Sequence, residues 1–326
     1  MPTRAKPTLR AAAAGIAALL LAGGAASAHD TPGIQVHIAY GTPRAFTIEG
    51  RIAERQDGPE ARSDDSRLRN LGRTMRSLRV EAQKNAPLRV TLAGGTWTIS
   101  SDADGYFALR GETPPDVRPG WNRLLVETAD AAARADTELL IVPPGNTLGI
   151  ISDFDDTVVV SEVGDRSRLL EHSLLENFLQ RLPVAGMADF YRGILARNPV
   201  PEAAPVIYLT ASPRQLQPGI RAFLARNGFP RGPIVAKKIT DGDGGDSLLD
   251  QKSYKTARIE RLLEDLPAVR FILVGDDGES DPETYRSIRD NHPTRIEVVY
   301  IRRVHPDPRR RTYPGQFQPA VAGPVR

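Results

Sequence analysis

The sequence predicts two folded units in tandem. An all-β, sandwich-like domain is expected over residues 29–144, followed by an α/β domain with a parallel sheet over residues 145–305. Three observations carry this reading. Short runs with period-two alternation fill the first half, as half-buried strands require. Strand-like and helix-like segments alternate in the second half, the pattern of a parallel sheet joined by crossover helices. Pro143-Pro144-Gly145 separates the two patterns, and such residues interrupt both helices and strands. At 326 residues the chain is long enough for two domains with cores of their own.

Residues 1–28 read as a secretory signal peptide. Arg4, Lys6 and Arg10 form a basic start, an Ala- and Leu-rich stretch runs from Ala11 to about Ala22, and Ala26-Ser27-Ala28 is a small-x-small cleavage pattern. The mature chain is then expected to start at His29 and to be exported, to the periplasm or beyond the cell. The other reading is an uncleaved anchor, for which the apolar stretch is short against the ~20 residues of a span. The formal charge of +3 lies in those three basic residues, so the mature chain is balanced. The charge therefore gives no reason to expect a nucleic-acid partner. With no cysteine, disulfides, a catalytic thiol and a Cys-ligated zinc site are excluded.

In the first domain the strand candidates are 34–38, 46–49, 88–92, 97–99, 106–109, 124–126 and 139–142. Asp102-Ala103-Asp104-Gly105 reads as the turn of a hairpin joining two of them. Residues 62–84 are polar and Arg-rich, a loop or short helix. From Arg67 to Arg89 the only acid is Glu81. A solvated loop is the favoured reading, and peripheral contact with an anionic membrane surface is the alternative.

In the second domain the strand candidates are 148–153, 206–210, 233–236, 270–275 and 296–301. The helix candidates are 167–181, 186–196, 214–227, 253–265 and 282–290. Helix 167–181 is strongly apolar, either a core helix or a small cap over a site that accepts acyl chains. Gly228 after Asn227 reads as a helix stop. Residues 306–326 form a Pro/Arg-rich tail, expected to be unstructured. Asp241-Gly242-Asp243-Gly244-Gly245-Asp246 begins like a calcium loop, but its twelfth position is Lys252 where a bidentate Glu is needed, so that reading is rejected.

The chemistry collects at strand ends. The first strand of the second domain runs into Asp153-Phe154-Asp155-Asp156-Thr157. It delivers two carboxylates, two residues apart, to the crevice where open α/β sheets bind ligands. Neighbouring carboxylates repel, so such a group needs a cation or a bound proton. Val206–Leu209 runs into Thr210-Ala211-Ser212-Pro213, which offers hydroxyls and backbone N–H groups. Lys255 falls near a helix start. Phe271–Val274 runs into Gly275-Asp276-Asp277-Gly278-Glu279-Ser280-Asp281, a second acidic strand end suited to a hard cation. Each has a bland counterpart: an acidic turn, a helix cap at Thr210, a solvated Lys255. Their occurrence together, in this order, favours phosphoryl transfer.

This series resembles the haloacid-dehalogenase-like phosphatases. More narrowly, residues 148 to about 305 are similar to the catalytic domain of the actin-patch-type phosphatidate phosphatases. The matching segments are Ile151–Thr157, Tyr208–Pro213, Asn227–Pro233, Lys255 with Ile259, and Gly275–Tyr285. The resemblance implies a Rossmann-like, haloacid-dehalogenase-like domain with a minimal cap. It implies Mg²⁺-dependent hydrolysis of phosphatidate or a related lipid phosphate through an aspartyl-phosphate. Asp153 would be the nucleophile and Asp155 the acid and then the base. Thr210 would hold the phosphoryl group and Lys255 would neutralise charge. Thr157, Ser212 and Arg214 would lie on the substrate side, and Asp153, Asp155 (through its carbonyl), Asp276, Asp277 and Asp281 around Mg²⁺. The chain departs from the family pattern at Arg214, where an aromatic is usual, and at Lys237-Lys238, where a basic-acidic pair is usual. Two alternatives stay open: a phosphatase of soluble phosphomonoesters such as sugar phosphates or nucleotides, and a non-enzymatic binding module with a vestigial catalytic domain.

Overall fold

A computed structural model of the chain describes residues 32–54, 62, 65–66, 69–70, 81–160, 178, 180–238, 246, 250–304 and 311–321. The expected leader lies outside these residues. So does the expected helix 167–181, apart from Phe178, Gln180 and Arg181, and so do residues 241–245.

The first sheet contains β1 (Pro32–Gly41), β2 (Ala45–Glu54), β3 (Pro87–Leu92), β4 (Gly95–Ser100), β5 (Tyr106–Glu112), β6 (Gly120–Thr128) and β7 (Arg134–Ile141). Its order is β4-β3-β6-β7-β1-β2-β5. All pairs are antiparallel except β1 with β7. The two edge strands, β4 and β5, come against each other. Phe46 and Trp97 meet there edge to face at 5.0 Å. Alternate residues fill the enclosed core: Phe46, Ile48 and Ile52 from β2, Leu88, Val90 and Leu92 from β3, and Leu124 and Val126 from β6. Period-two patterning puts every second side chain on one face, and a core forms where those faces meet.

The turn at Asp102–Gly105 does not close a hairpin. The Asp102 carboxylate accepts from the backbone N–H groups of Asp104 and Tyr106, as an Asx turn does. The loop is then tied to β2, because Ile52 N–H donates to Gly105 O at 2.8 Å. Gly105 has φ +76°, and a Cβ there would sit 2.3 Å from Ile52 O, so only glycine fits. β5 consequently pairs with β2, across the sheet from β4. The local sequence specified the turn, while a contact about fifty residues away decided the partner strand.

The second sheet is parallel throughout. Its strands are β8 (Leu148–Asp153), β11 (Val206–Pro213), β12 (Ile234–Lys237), β13 (Arg270–Asp276), β14 (Ile296–Arg302) and β15 (Gln316–Phe317), in the order β12-β11-β8-β13-β14-β15. A small antiparallel pair, β9 (Val159–Val160) with β10 (Leu182–Pro183), stands beside it. The helices are α1 (Met187–Leu195), α2 (Gln217–Arg226), α3 (Gln251–Asp265) and α4 (Asp281–Asn291). The sheet is buried on both faces, as parallel sheets are. Ile151, Ile207, Leu209, Phe271 and Leu273 pack toward α3 and α4. Ile150, Val206, Tyr208, Ile272 and Val274 pack toward α1 and α2. Residues 311–321 of the expected unstructured tail are ordered. β15 adds to the sheet beside β14, Gln316 donates to Pro282 O, Arg289 donates to Gly315 O, and Val321 packs on the core.

The two sheets share a polar, partly buried seam. Tyr40 donates to Asp265 at 2.7 Å, and Trp121 donates to the carbonyl of Glu202 at 2.9 Å. A bulge in β1 falls between Val36 and Ile38, and bulges re-aim a side chain. Here it is His37, buried with its Nδ1 2.6 Å from Gln217 Oε1. Ile38, Tyr40 and Leu140 of the first sheet, with Val142 just past its last strand, join the α3–α4 side of the second core.

Candidate active site

Chain order reverses at β8. The chain proceeds from β8 outward through β11 to β12, then returns to place β13 on the other side of β8. Open α/β sheets leave a crevice at such a point, outside the carboxyl ends of the strands. Asp153 ends β8 and Asp276 ends β13. Two helices rim the same crevice. α3 is capped by Asp250, whose side chain accepts from Ser253 N–H, and Lys255 stands just beyond its first turn. Asp281 is the first residue of α4, followed by Pro282, a residue suited to a helix start.

These four side chains converge. Lys255 Nζ lies 2.7 Å from Asp153 Oδ1, 2.5 Å from Asp281 Oδ1 and 3.3 Å from Glu279 Oε2. One carboxylate oxygen from each of Asp153, Asp276 and Asp281 lies within 4.8 Å of the others, and all three residues are buried. Gly275 makes this approach possible, since a Cβ there would stand 2.4 Å from Asp281 Oδ2. Asp276 is held by the N–H of Gly278 at 2.5 Å and by Thr157 Oγ1 at 3.4 Å.

Burial pushes the Asp153 carboxyl well above the usual range. Lys255 opposes that shift, and Asp281, Asp276 and Glu279 add to it. Burial followed by carboxylate repulsion likewise raises Asp276 and Asp281. Burial disfavours the Lys255 ammonium, but Asp153, Asp281 and Glu279 outweigh it and lift its pKa well above the ordinary value. A single ammonium thus faces several carboxylates. Asp153 Oδ2 and Asp281 Oδ2 are buried without a hydrogen-bond partner among the described residues. A buried, oxygen-only, anionic cluster with unused lone pairs fits a hard divalent cation, so the triad is placed to hold a metal ion.

Asp155 stands beside this cluster, and its side chain is 21% exposed. Thr210 Oγ1 donates to Asp155 Oδ2 at 3.0 Å and accepts from the N–H of Ser212 at 3.0 Å. Burial raises the pKa of Asp155, Arg181 opposes the shift, and Glu279 adds to it. Asp156 turns the loop with φ +56°, a conformation Asp tolerates. Its carbonyl accepts from Arg302 at 2.6 Å.

The structure brings Asp153, Asp155, Thr157, Thr210, Lys255, Asp276 and Asp281 together. It places two expected residues elsewhere. Arg214 turns to the seam between the sheets, where Nη2 meets Glu49 at 2.6 Å and Nε donates to Ala236 O. Asp277 turns away from the triad. Its Oδ1 accepts from Val304 N–H at 2.7 Å, and Arg303 lies 3.6 Å from its Oδ2. Two further residues emerge. Glu279 sat within the acidic run and was legible there. Arg181, with Nη1 3.8 Å from Asp155 Oδ1, carried no signal, because it ends an apolar stretch that reads as a helix.

Comparison with known proteins finds relatives over the same part of the chain. Residues 148–303 match the family model of the catalytic domain of phosphatidate phosphatase APP1. Over 219 residues, 65% of this chain, it is 28% identical to "Phosphatidate phosphatase APP1" of Saccharomyces cerevisiae. It is 25% identical over 218 residues to an uncharacterized protein of Schizosaccharomyces pombe. The matches span 36% and 35% of those proteins, about a third of their own length. Among solved structures, a carbohydrate acetylesterase from Xanthomonas citri aligns over 82% of this chain and 66% of its own, with TM-score 0.30 and 10% identity. A likeness that low carries no argument. The second sheet with its acidic crevice, residues 148–303, belongs to the APP1 phosphatidate phosphatase catalytic-domain family.

Proposed function

We propose that this chain is an exported, Mg²⁺-dependent phosphatase of phosphatidate or a related lipid phosphate, with a haloacid-dehalogenase-like catalytic domain. One observation carries the chemistry: Lys255, Asp153, Asp276 and Asp281 converge beside the Thr210–Asp155 pair at the strand-order reversal. The lipid substrate rests on the family match and on the yeast relative's name. Export rests on the cleavage pattern at Ala26–Ala28.

Asp153 would attack phosphorus, forming a carboxyl–phosphate bond as the ester oxygen departs. Asp155, whose carboxyl pKa is raised by burial, would give that oxygen its proton. It would then take a proton from the water that cleaves the acyl phosphate. Thr210 fixes the Asp155 carboxyl for both steps. Lys255 holds Asp153 in place and offsets charge gathering on phosphorus. Asp153, Asp276 and Asp281 would hold the Mg²⁺ ion, which supplies charge neutralisation of the transferring phosphoryl group.

The test is phosphate release from dioleoyl phosphatidate in mixed micelles by residues 29–326, with and without Mg²⁺, beside Asp153→Asn. Release that needs Mg²⁺ and disappears in the variant is expected. Release only from glycerol 3-phosphate would discard the lipid substrate and keep the mechanism. Lipid binding without release from any phosphomonoester would overturn the enzymatic reading.

A further inference from the structure

Arg181 is a cation facing Asp155 from outside the acidic cluster. β10 begins one residue later, and its pairing sets Leu182 opposite Val160 and Pro183 opposite Val159. Asp155 itself bridges to Val159. The small β9–β10 sheet thereby fixes Arg181 beside the acid of the Asp-x-Asp motif. The guanidinium lies over the Phe178 ring, 4.7 Å from its centroid, and the side chain is 7% exposed. At 3.8 Å its contact with Asp155 is longer than a hydrogen bond.

The residue before it is clamped from the first sheet's domain. Asn70 Nδ2 donates to Gln180 Oε1 at 2.8 Å, and Gln180 Nε2 donates to Asp65 O at 2.9 Å. Asp65 and Asn70 belong to the connection between β2 and β3, more than a hundred residues upstream. Both are buried. The Asp65 carboxylate accepts from Arg62 N–H and from Arg69, and Asn70 N–H donates to Ser66 O. Buried amides are costly unless satisfied, so this pair holds its two segments in one arrangement.

We infer that Arg181 binds the substrate's phosphoryl oxygens, and that Asp65 and Asn70 position Arg181 through Gln180. The inference rests on the phosphatase reading for its substrate. The physical reason is a mismatch of charge. A phosphate monoester brings up to two negative charges to a crevice already crowded with carboxylates. Lys255 faces three of them and stands on the Asp153 side. Arg181 lies on the Asp155 side, where the ester oxygen leaves, and its planar fork matches phosphoryl oxygens as it matches a carboxylate.

The experiment measures binding of inorganic phosphate, with Mg²⁺, to the full chain and its variants by calorimetry, beside turnover. Arg181→Ala is expected to weaken phosphate about ten- to hundredfold, as loss of a charge-assisted contact does. Arg181→Lys should recover part of that loss. Asn70→Ala should weaken phosphate less, and Asn70→Ala with Arg181→Ala should match Arg181→Ala alone, because one residue acts through the other. Phosphate affinity unchanged in Arg181→Ala, multiplied losses in the double variant, or no phosphate binding by the parent chain would each overturn the inference. Phosphate binding that depends on Arg181 in a chain without turnover would refute the phosphatase reading and support this assignment. Full turnover with affinity unchanged in Arg181→Ala would do the reverse.

Discussion

Arg214 Nη2 lies 2.6 Å from Glu49 Oε2, joining the end of the second sheet's β11 to strand β2 of the first. The Arg214 side chain is 4% exposed and that of Glu49 24%, so the two halves of the pair are not equivalent. Removing Glu49 strands a buried cation, whereas removing Arg214 leaves a carboxylate that reaches water. Glu49→Ala is expected to cost about 3 kcal/mol or more, and Arg214→Met less than half of that. The check is the midpoint of urea unfolding at unchanged slope. KM for the phosphate ester should stay constant in Arg214→Met, since the guanidinium faces the seam. A raised KM with unchanged stability would return Arg214 to the substrate side.

The contrast between Arg214 and Asp153 shows what was legible in the sequence. Asp153 follows a run of apolar residues that reads as a buried strand, and the carboxyl end of a strand in a parallel sheet opens on the ligand crevice. Lys255 and Asp281 were legible for a similar reason, since helix starts face the same crevice. Arg214 follows Ser212-Pro213 just as closely, yet its direction depends on Glu49, 165 residues away, and no local pattern encodes that. The pairing of β5 with β2 and the docking of residues 311–321 were hidden likewise. Gly105 against Ile52 O and Gln316 against Pro282 O are tertiary contacts of residues that read locally as turn and tail.

His37 should make the fold acid-labile. Its pKa is lowered from 6.5 to about 3, first by burial and then by Arg214, with Arg51 and Arg221 adding to the effect and the Gln217 hydrogen bond opposing it. A depressed histidine pKa means that the unfolded chain binds the proton more readily. Stability is therefore complete above pH 6.5 and declines as pH falls from 6.5 toward 3, by on the order of 4–5 kcal/mol for this group. Unfolding free energy against pH, for the parent chain and His37→Gln, checks this. The variant should show the shallower decline over that window, and parallel curves would refute it.

Asp155 should separate the two halves of the reaction. Burial raises its pKa, and its loss leaves the departing alkoxide without a proton. Asp155→Asn is expected to lower kcat on an alkyl phosphate by about 10²–10⁴-fold. With p-nitrophenyl phosphate, whose leaving group needs no proton, the first step should survive and hydrolysis of the acyl phosphate should stall. A burst near one phenolate per chain, followed by little turnover, is the expected trace. Equal losses on both substrates without a burst would remove Asp155 from the proton transfer.

Asp277 and Asp281 make opposite predictions for metal binding despite lying in one acidic run. Asp281 shares the triad with Asp153 and Asp276. Asp277 is spent on Val304 N–H and on Arg303. Asp281→Asn is therefore expected to abolish the rise in thermal midpoint that Mg²⁺ produces, since that rise reports binding to the folded chain. Asp277→Asn should lower the midpoint itself while leaving the Mg²⁺-induced rise intact. Gly275→Ala completes the series, because its Cβ would collide with Asp281 Oδ2 and Tyr285. Overpacking of that kind costs about 1–3 kcal/mol. Here it should also move the Asp281 carboxylate, so the variant loses the Mg²⁺ response without losing any carboxylate. A Gly275→Ala chain with a full Mg²⁺ response would show that Asp281 is not held in place by the close approach at Gly275.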